Sequence, residues 1–199
     1  MKLFKTDLFS EDVTNLLPYD GVVDYYGKIL TQSESQKYYH QLLQNPYWHH
    51  ANLIMYEKLI VTKRKIAWFG DDKYTATHST LPWTDELLAL KKIVEELSLK
   101  KFNCCFLNLY HNGLEGIGWH SDDEEILGPN PTIASLSFGA ERKFCFKHKI
   151  NQKIISIILE SGSLLIMKGA TQRNWLHGLP KSKKIMTPRI NLTFREIVN

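Results

Sequence analysis

The chain has 199 residues, 43% of them hydrophobic, which is enough for one domain with a substantial core. No apolar run approaches the length that crosses a bilayer, and the acid-containing start MKLFKTDLFSEDV lacks the apolar core of a secretory signal. A formal charge of +4 permits an acidic partner such as nucleic acid, although an excess of surface lysine explains it equally well.

Two helices are predicted in the first half of the chain. Residues 33–44 have Ser33 as a candidate N-cap, Gln36 at the capping-box position and Pro46 as a stop signal. Residues 84–98 follow a candidate cap at Thr84 and have acidic residues in the first turn. Their apolar side chains fall on one helical face, at Leu87, Leu90, Ile93, Val94 and Leu97.

The second half of the chain predicts short strands separated by Gly, Pro or Asn turns, at 102–110, 132–138, 143–148, 153–160, 163–168 and 189–197. Helices followed by many short strands favour an α+β domain built on a β-sandwich. A double-stranded β-helix (jelly roll) fits, because it closes its sheet edges with strands of this length, although periodicity alone does not exclude another sandwich. Without repeats or linkers, we expect residues 1–199 to form a single domain.

The cysteines of the chain are Cys104, Cys105 and Cys145, an odd number without CxxC spacing. Adjacent Cys104 and Cys105 would point to opposite faces of a strand. We interpret all three as reduced thiols in or near the core of a cytoplasmic protein, or of a nuclear one if the organism is eukaryotic.

The segment GWHSDDEE places His120 and Asp122 on the same face of an extended strand. His177 follows far downstream in NWLHGLP, between strand-like segments. Two imidazoles and one carboxylate form the facial triad of non-haem Fe(II) oxygenases, whose open positions take a cosubstrate and O₂. The spacing by itself is a weak signal, because HxD pairs occur by chance and the chain has eight histidines.

The segment PRINLTFREI strengthens the metal hypothesis by placing four polar side chains on one strand face, at Arg189, Asn191, Thr193 and Arg195. The apolar side chains, Ile190, Leu192, Phe194 and Ile197, lie on or near the other face. Two inward arginines would be costly without an anionic ligand, and a dicarboxylate supplies that charge. The alternative is a solvated polar face on an edge strand.

The segment CCFLNLYHNG adds Asn108 and Tyr110, which alternate on one strand face upstream of His120. An amide and a phenol there could hydrogen-bond a carboxylate or keto oxygen. The alternative is a turn asparagine and a half-buried core tyrosine.

Together these residues resemble the AlkB family of oxidative nucleic-acid demethylases, and the similarity runs from about residue 50 to residue 197. The motifs are NLY at 108–110, WHSDDE at 119–124, IASLSFGA at 133–140, GSLLIMKGATQRNWLH at 162–177 and PRINLTFR at 188–195. They are specific in content and order, and they are similar to the branch that acts on N-methylated bases in DNA and, in some members, RNA.

The resemblance implies a jelly roll with N-terminal helices packed on one sheet and a nucleotide-recognition lid. It divides the chain into an N-terminal extension (about 1–45), the lid (about 50–82) and the jelly-roll core (about 100–197). It makes His120, Asp122 and His177 the Fe(II) ligands and catalytic centre. It assigns 2-oxoglutarate to a pocket formed by Asn108, Tyr110, Arg189, Asn191, Thr193 and Arg195.

The resemblance also implies a substrate site. Glu124 matches an acid that recognises the damaged base, Tyr74 and Thr75 match the lid, and Arg64 matches a basic residue near the DNA strand. Tyr56 is a candidate wedge in a hairpin at 55–65. Related chains commonly stack a further aromatic on the flipped base, but Ala76 stands there, so the missing face would come from Tyr74, His78, Trp68 or Phe69.

The activity implied is Fe(II)-, 2-oxoglutarate- and O₂-dependent demethylation of N1-methyladenine and N3-methylcytosine in DNA, with release of formaldehyde. Such methyl groups lie on the Watson–Crick edge, so the nucleotide must rotate out of the stack. We expect alkylated DNA, single- or double-stranded, as partner, no membrane, and a monomer.

Alternatives are an RNA demethylase, an oxygenase acting on a protein, a metal-free binding module, and a zinc hydrolase, which leaves the paired arginines unexplained. In KFCFKHK (143–149), lysines could neutralise phosphates and aromatics could stack on bases, or the segment is an exposed amphipathic strand.

Overall fold

The computed structural model describes residues 15–55, 58–71 and 80–198. The predicted wedge Tyr56 and the predicted lid residues Tyr74, Thr75, Ala76 and His78 lie outside these ranges.

The described elements are, in chain order, β1 (Val22–Lys28), α1 (Gln32–Leu43), β2 (His49–Met55), β3 (Lys58–Gly70), α2 (Asp85–Ser98), β4 (Cys104–Tyr110), β5 (Ile117–His120), a 3-10 turn (Glu125–Leu127), β6 (Ile133–Gly139), β7 (Arg142–His148), β8 (Ile154–Leu159), β9 (Ser163–Lys168), α3 (Thr171–Asn174), β10 (Trp175–Leu179) and β11 (Arg189–Arg195).

Within the described ranges these strands form two antiparallel sheets. The larger has seven strands in the order β1-β9-β6-β11-β4-β3-β2, and the smaller has four in the order β5-β10-β7-β8. The helices and antiparallel sheets confirm the predicted α+β class, and the facing sheets are the jelly-roll core.

The large sheet packs against other elements on both of its faces. One face packs against α1 and α2 in the main hydrophobic cluster, to which β11 contributes Ile190, Leu192 and Phe194. The other face meets the small sheet through a second cluster that includes Phe146 and Trp175. Because side chains alternate along a strand, the polar residues of β11 are left on the face between the sheets.

The capping of helix α1 differs from the prediction. The N-cap is Thr31, whose hydroxyl accepts from the backbone N–H of Glu34 while the Glu34 carboxylate accepts from the backbone N–H of Thr31. The predicted pair, Ser33 and Gln36, was therefore wrong by two residues, because a reciprocal Thr–Glu box is available one half-turn earlier.

Helix α2 begins where it was predicted, with Thr84 at the N-cap position, although no hydrogen bond from the Thr84 side chain caps the helix. Its apolar face packs on the large sheet as expected, with Leu87, Leu90 and Val94 fully buried. The hydrophobic periodicity of α2 is therefore the reason that it covers this sheet.

Strand β1 was missed and pairs with β9 in the large sheet. The sheet therefore draws on residues before the 100–197 range predicted for the jelly-roll core. Strand β10 was also missed, and it places His177 inside a strand, where the prediction put this residue between strands.

All three cysteines are free and buried, as predicted. Cys105 packs in the main cluster beneath the helices, and Cys104 faces the cavity between the sheets, so the adjacent thiols do point to opposite faces. Within the described ranges, no helix has both the length and the apolar character that spanning a membrane requires.

Candidate metal centre and cosubstrate pocket

Two strands of the small sheet bring the candidate metal ligands together. β5 and β10 pair antiparallel with His120 directly opposite His177, and the two imidazole centroids are 4.3 Å apart. Asp122 follows just beyond the end of β5, and the candidate ligand atoms of all three residues lie within 4.8 Å of one another. Cross-strand register thus converts a local HxD pair and a distant histidine into one cluster.

Both imidazoles fit a metal. The Nδ1 of His120 is 2.9 Å from the carbonyl oxygen of Gly118, which only accepts, so Nδ1 carries the proton and the Nε2 lone pair stays free. Nε2 is 3.7 Å from the Oδ1 of Asp122, a pairing of two acceptors that a cation between them would relieve. Burial lowers the pKa of His177 to about 3, so this ring is neutral at physiological pH.

Asp122 is held ionised in a buried position. Burial alone would raise its pKa, but the charge and the hydrogen bond of Arg195 outweigh this and hold the pKa below its usual value. The Nη2 of Arg195 donates to the Oδ2 of Asp122 at 2.8 Å, and the backbone N–H of Asp122 donates to Gln172 at 3.0 Å. One carboxylate oxygen is thereby fixed by protein while the other faces the histidines.

Arg189 is a buried cation without a carboxylate. It is 2% exposed, its Nη2 donates to the hydroxyl of Ser137 at 3.0 Å, and it lies over the Tyr110 ring at 5.6 Å. Burial lowers its pKa to about 10, and its Nε has no hydrogen-bond partner among the described residues. No acidic side chain in the described ranges pairs with it, so the site is suited to an anion.

The two arginines and the triad open onto one cavity of about 490 Å³ between the sheets. This is a usual size for a site that binds small molecules. The remaining residues predicted for the cosubstrate also line the cavity, namely Asn108, Tyr110, Asn191 and Thr193. The strand alternation that the sequence predicts for β4 and β11 is therefore the arrangement found.

Three residues that were predicted to bind the substrate also line the cavity. Glu124 is exposed and lines it, and so does Trp68, whose ring meets that of Phe106 edge-on at 6.2 Å. Arg64 lines it as well and donates to Asn108 at 2.8 Å. Ile197, predicted near the apolar face of β11, lines the cavity instead.

The segment 143–149 has its aromatic side chains inside the domain. Phe146 is fully buried between the sheets, and Phe144 packs against it with its ring 5.6 Å from that of His177. β7 turns both aromatic side chains inward, where Phe144 lines the cavity, and leaves Lys143 and Lys147 on its other face; stacking of these aromatics on bases stays a prediction.

Two further residues support the site without being marked by any pattern in the sequence. Gln172 accepts from the Asp122 backbone, as described above. Arg142 is 1% exposed and donates to the carbonyl oxygens of Asn112, Glu115 and Pro180, tying the loops before β5 and after β10 together. Both roles depend on partners that are distant in the chain, so no local pattern reveals them.

Comparisons with known proteins agree with this geometry. The family described as 2OG-Fe(II) oxygenase superfamily matches residues 22–195. The chain is 38% identical to "Alpha-ketoglutarate-dependent dioxygenase alkB homolog 3" of Bos taurus, over 82% of this chain and 62% of that protein. It is 35% identical to "DNA oxidative demethylase ALKBH2" of Mus musculus, over 96% of this chain and 87% of that protein.

The chain thus spans less than two thirds of the bovine relative and most of the mouse one. A solved structure described as that of OsALKBH1 superposes with a TM-score of 0.65 at 20% identity, covering 90% of this chain and 99% of that chain. At this identity the superposition supports the jelly-roll fold.

Proposed function

Since this chain belongs to the AlkB family of 2OG-Fe(II) oxygenases, we propose that it demethylates N1-methyladenine and N3-methylcytosine in DNA. The chain is a dioxygenase that uses Fe(II), 2-oxoglutarate and O₂. The observation that carries the proposal is one cavity that joins a His–Asp–His triad, two arginines and an exposed acid.

One set of residues in the cavity is suited to binding the metal, and another is suited to binding the cosubstrate. His120, Asp122 and His177 would hold the iron, and Arg189 and Arg195 would bind the carboxylates of 2-oxoglutarate. Bound iron, 2-oxoglutarate and O₂ supply the oxygen atom that hydroxylates the N-methyl group, after which formaldehyde leaves and the base is restored.

Arg195 also supports the metal site, because the guanidinium that would bind the cosubstrate donates a hydrogen bond to Asp122. This contact keeps the Asp122 carboxylate ionised and fixes its direction. Metal site and cosubstrate site are therefore built on one shared hydrogen bond, which limits how the cosubstrate can be oriented.

The acid at the cavity supports a cationic substrate. N1-methyladenine and N3-methylcytosine carry a positive charge, and the carboxylate of Glu124 would attract them more than neutral bases. The mouse relative is named a DNA oxidative demethylase, which agrees with this substrate class. The target nucleotide must leave the stack to reach the cavity, at a cost that is lowest for a base that cannot pair.

The proposed activity is tested with oligonucleotides that carry N1-methyladenine or N3-methylcytosine in single-stranded DNA, duplex DNA and RNA. Each is incubated with Fe(II), ascorbate and 2-oxoglutarate, and the masses of the product oligonucleotides are measured by mass spectrometry. We expect loss of the methyl mass from DNA only when iron and 2-oxoglutarate are both present. Turnover of RNA alone, or uncoupled conversion of 2-oxoglutarate to succinate on every oligonucleotide, would contradict the proposal.

The role of Glu124 is tested by Glu124→Gln, with Glu125→Gln as matched control, since Glu125 is the next residue, is also exposed and does not line the cavity. We expect kcat/KM on N1-methyladenine to fall about fivefold in the first variant, as one partly exposed charge contact is worth about 1 kcal/mol. Activity on the neutral N3-methylthymine should change little. Equal losses on both lesions would show that charge is not the reason.

A further inference from the structure

Arg64 lies where the nucleic-acid side of the cavity meets the cosubstrate side. Strand β3 pairs antiparallel with β4, with Lys65 opposite Leu109 and Ile66 opposite Asn108. Arg64 is thus a diagonal cross-strand neighbour of Asn108 on the same face. Its Nη1 donates to the Oδ1 of Asn108 at 2.8 Å, and its guanidinium is 6.0 Å from the centre of the Tyr110 ring.

This contact decides which way the Asn108 amide points. A guanidinium can only donate, so the amide oxygen must face Arg64 and the NH₂ must face away from it. Asn108 is 4% exposed and lines the cavity with Arg189 and Arg195. No described residue accepts from its NH₂, which is left for an oxygen of a ligand in the cavity.

The direction of the amide matters because of the charge of the cosubstrate. A carboxylate or keto oxygen accepts hydrogen bonds, so an amide NH₂ attracts it and an amide oxygen repels it. Without Arg64, the Asn108 side chain could rotate by half a turn and present the wrong group.

We propose that Arg64 is a positioning residue for 2-oxoglutarate, which fixes the Asn108 amide with its NH₂ directed at the cosubstrate. The inference concerns cosubstrate binding and does not depend on which nucleic acid the enzyme repairs. It differs from the role that the AlkB resemblance implies, a contact with the DNA strand, which would leave 2-oxoglutarate affinity unaffected in the absence of nucleic acid.

The test is a double-mutant cycle read by calorimetry. The full chain is loaded with Mn(II), which occupies the site without turnover, and titrated with 2-oxoglutarate with no nucleic acid present. The variants are Arg64→Met, Asn108→Ala and the double variant. Lys63→Met is the matched control, because Lys63 is the adjacent cation, is exposed and does not line the cavity.

We expect Arg64→Met to weaken 2-oxoglutarate about tenfold, as one hydrogen bond to a charged group is worth that factor or somewhat more. Asn108→Ala should weaken it at least as much, and the double variant should bind no worse than Asn108→Ala. Lys63→Met should stay within about twofold of the wild type. Arg64→Lys, which keeps the charge and one donor, should fall between wild type and Arg64→Met.

Two results would overturn the inference. In the first, Arg64→Met binds 2-oxoglutarate like the wild type. In the second, its loss is repeated in full in the Asn108→Ala background, which would show an effect of charge or fold that does not pass through Asn108. Unchanged Mn(II) affinity and melting temperature identify folded variants. Since the titrations contain no oligonucleotide, they can fail while demethylation is observed, and the reverse.

Discussion

Replacing Arg189 with methionine should weaken the binding of 2-oxoglutarate without lowering the stability of the folded protein. The Arg189 pKa of about 10, against a usual value of 12.5, means that keeping the guanidinium charged costs the folded protein about 3 kcal/mol. Because this pKa is lowered, the cost is fully present below about pH 10 and would be relieved only as the pH rises from there towards 12.5. The hydrogen bond to Ser137 offsets about 1 kcal/mol of this cost.

Arg189→Met removes both the cost of the buried charge and the hydrogen bond to Ser137. Without ligand we therefore expect the variant to melt at the wild-type temperature or about 5 °C above it. The same change should weaken 2-oxoglutarate by a factor of about 100 to 1,000, because it leaves a buried carboxylate without its cation. The assay is thermal unfolding of the Mn(II)-loaded chain with and without 2-oxoglutarate. Wild type should be stabilised by the cosubstrate, and the variant should not.

Arg142→Met is the matched control, since Arg142 is equally buried but donates to three backbone carbonyl groups. Its removal leaves these acceptors unsatisfied and should cost about 2–4 kcal/mol of unfolding free energy. If Arg189→Met melts as far below the wild type as Arg142→Met, or if 2-oxoglutarate still stabilises it, Arg189 is a structural residue and the reasoning is refuted.

Three further predictions follow from the contacts described. Thr31→Ala should lower the unfolding free energy by about 1 kcal/mol in urea titrations, while Ser33→Ala should not; equal effects would contradict the capping box. Glu95 accepts from the Phe102 backbone N–H and from Lys101; burial would raise its pKa, but these contacts lower it on balance. Glu95→Gln should therefore destabilise the protein by about 1 kcal/mol at pH 7, a difference that fades as the pH falls through the lowered pKa; a constant difference down to pH 2 would refute this. His177→Ala should abolish the rise in melting temperature caused by Mn(II), and an undiminished rise would remove His177 from the metal site.

The residues predicted to bind the cosubstrate show what a local sequence pattern can predict. Alternation follows from the period of an extended strand, so Asn108 and Tyr110 could be placed on one face of β4, and Arg189 and Arg195 on one face of β11, before the pairing of these strands was known. Helix α2 was predicted for the same kind of reason, because its apolar residues recur at the helical period. The N-cap of α1 was misplaced because two polar residues compete within half a turn.

The amino-acid sequence by itself determined which side chains share a strand or helix face, and its motifs determined the family and the metal ligands. Tertiary structure alone decided that His177 lies opposite His120, that Gln172 and Arg195 hold Asp122, and that Arg64 orients Asn108. The physical reason is that side-chain direction repeats every two or four residues along the chain. Strand register and buried hydrogen-bond partners instead depend on which distant segments pair, and no local period encodes that choice.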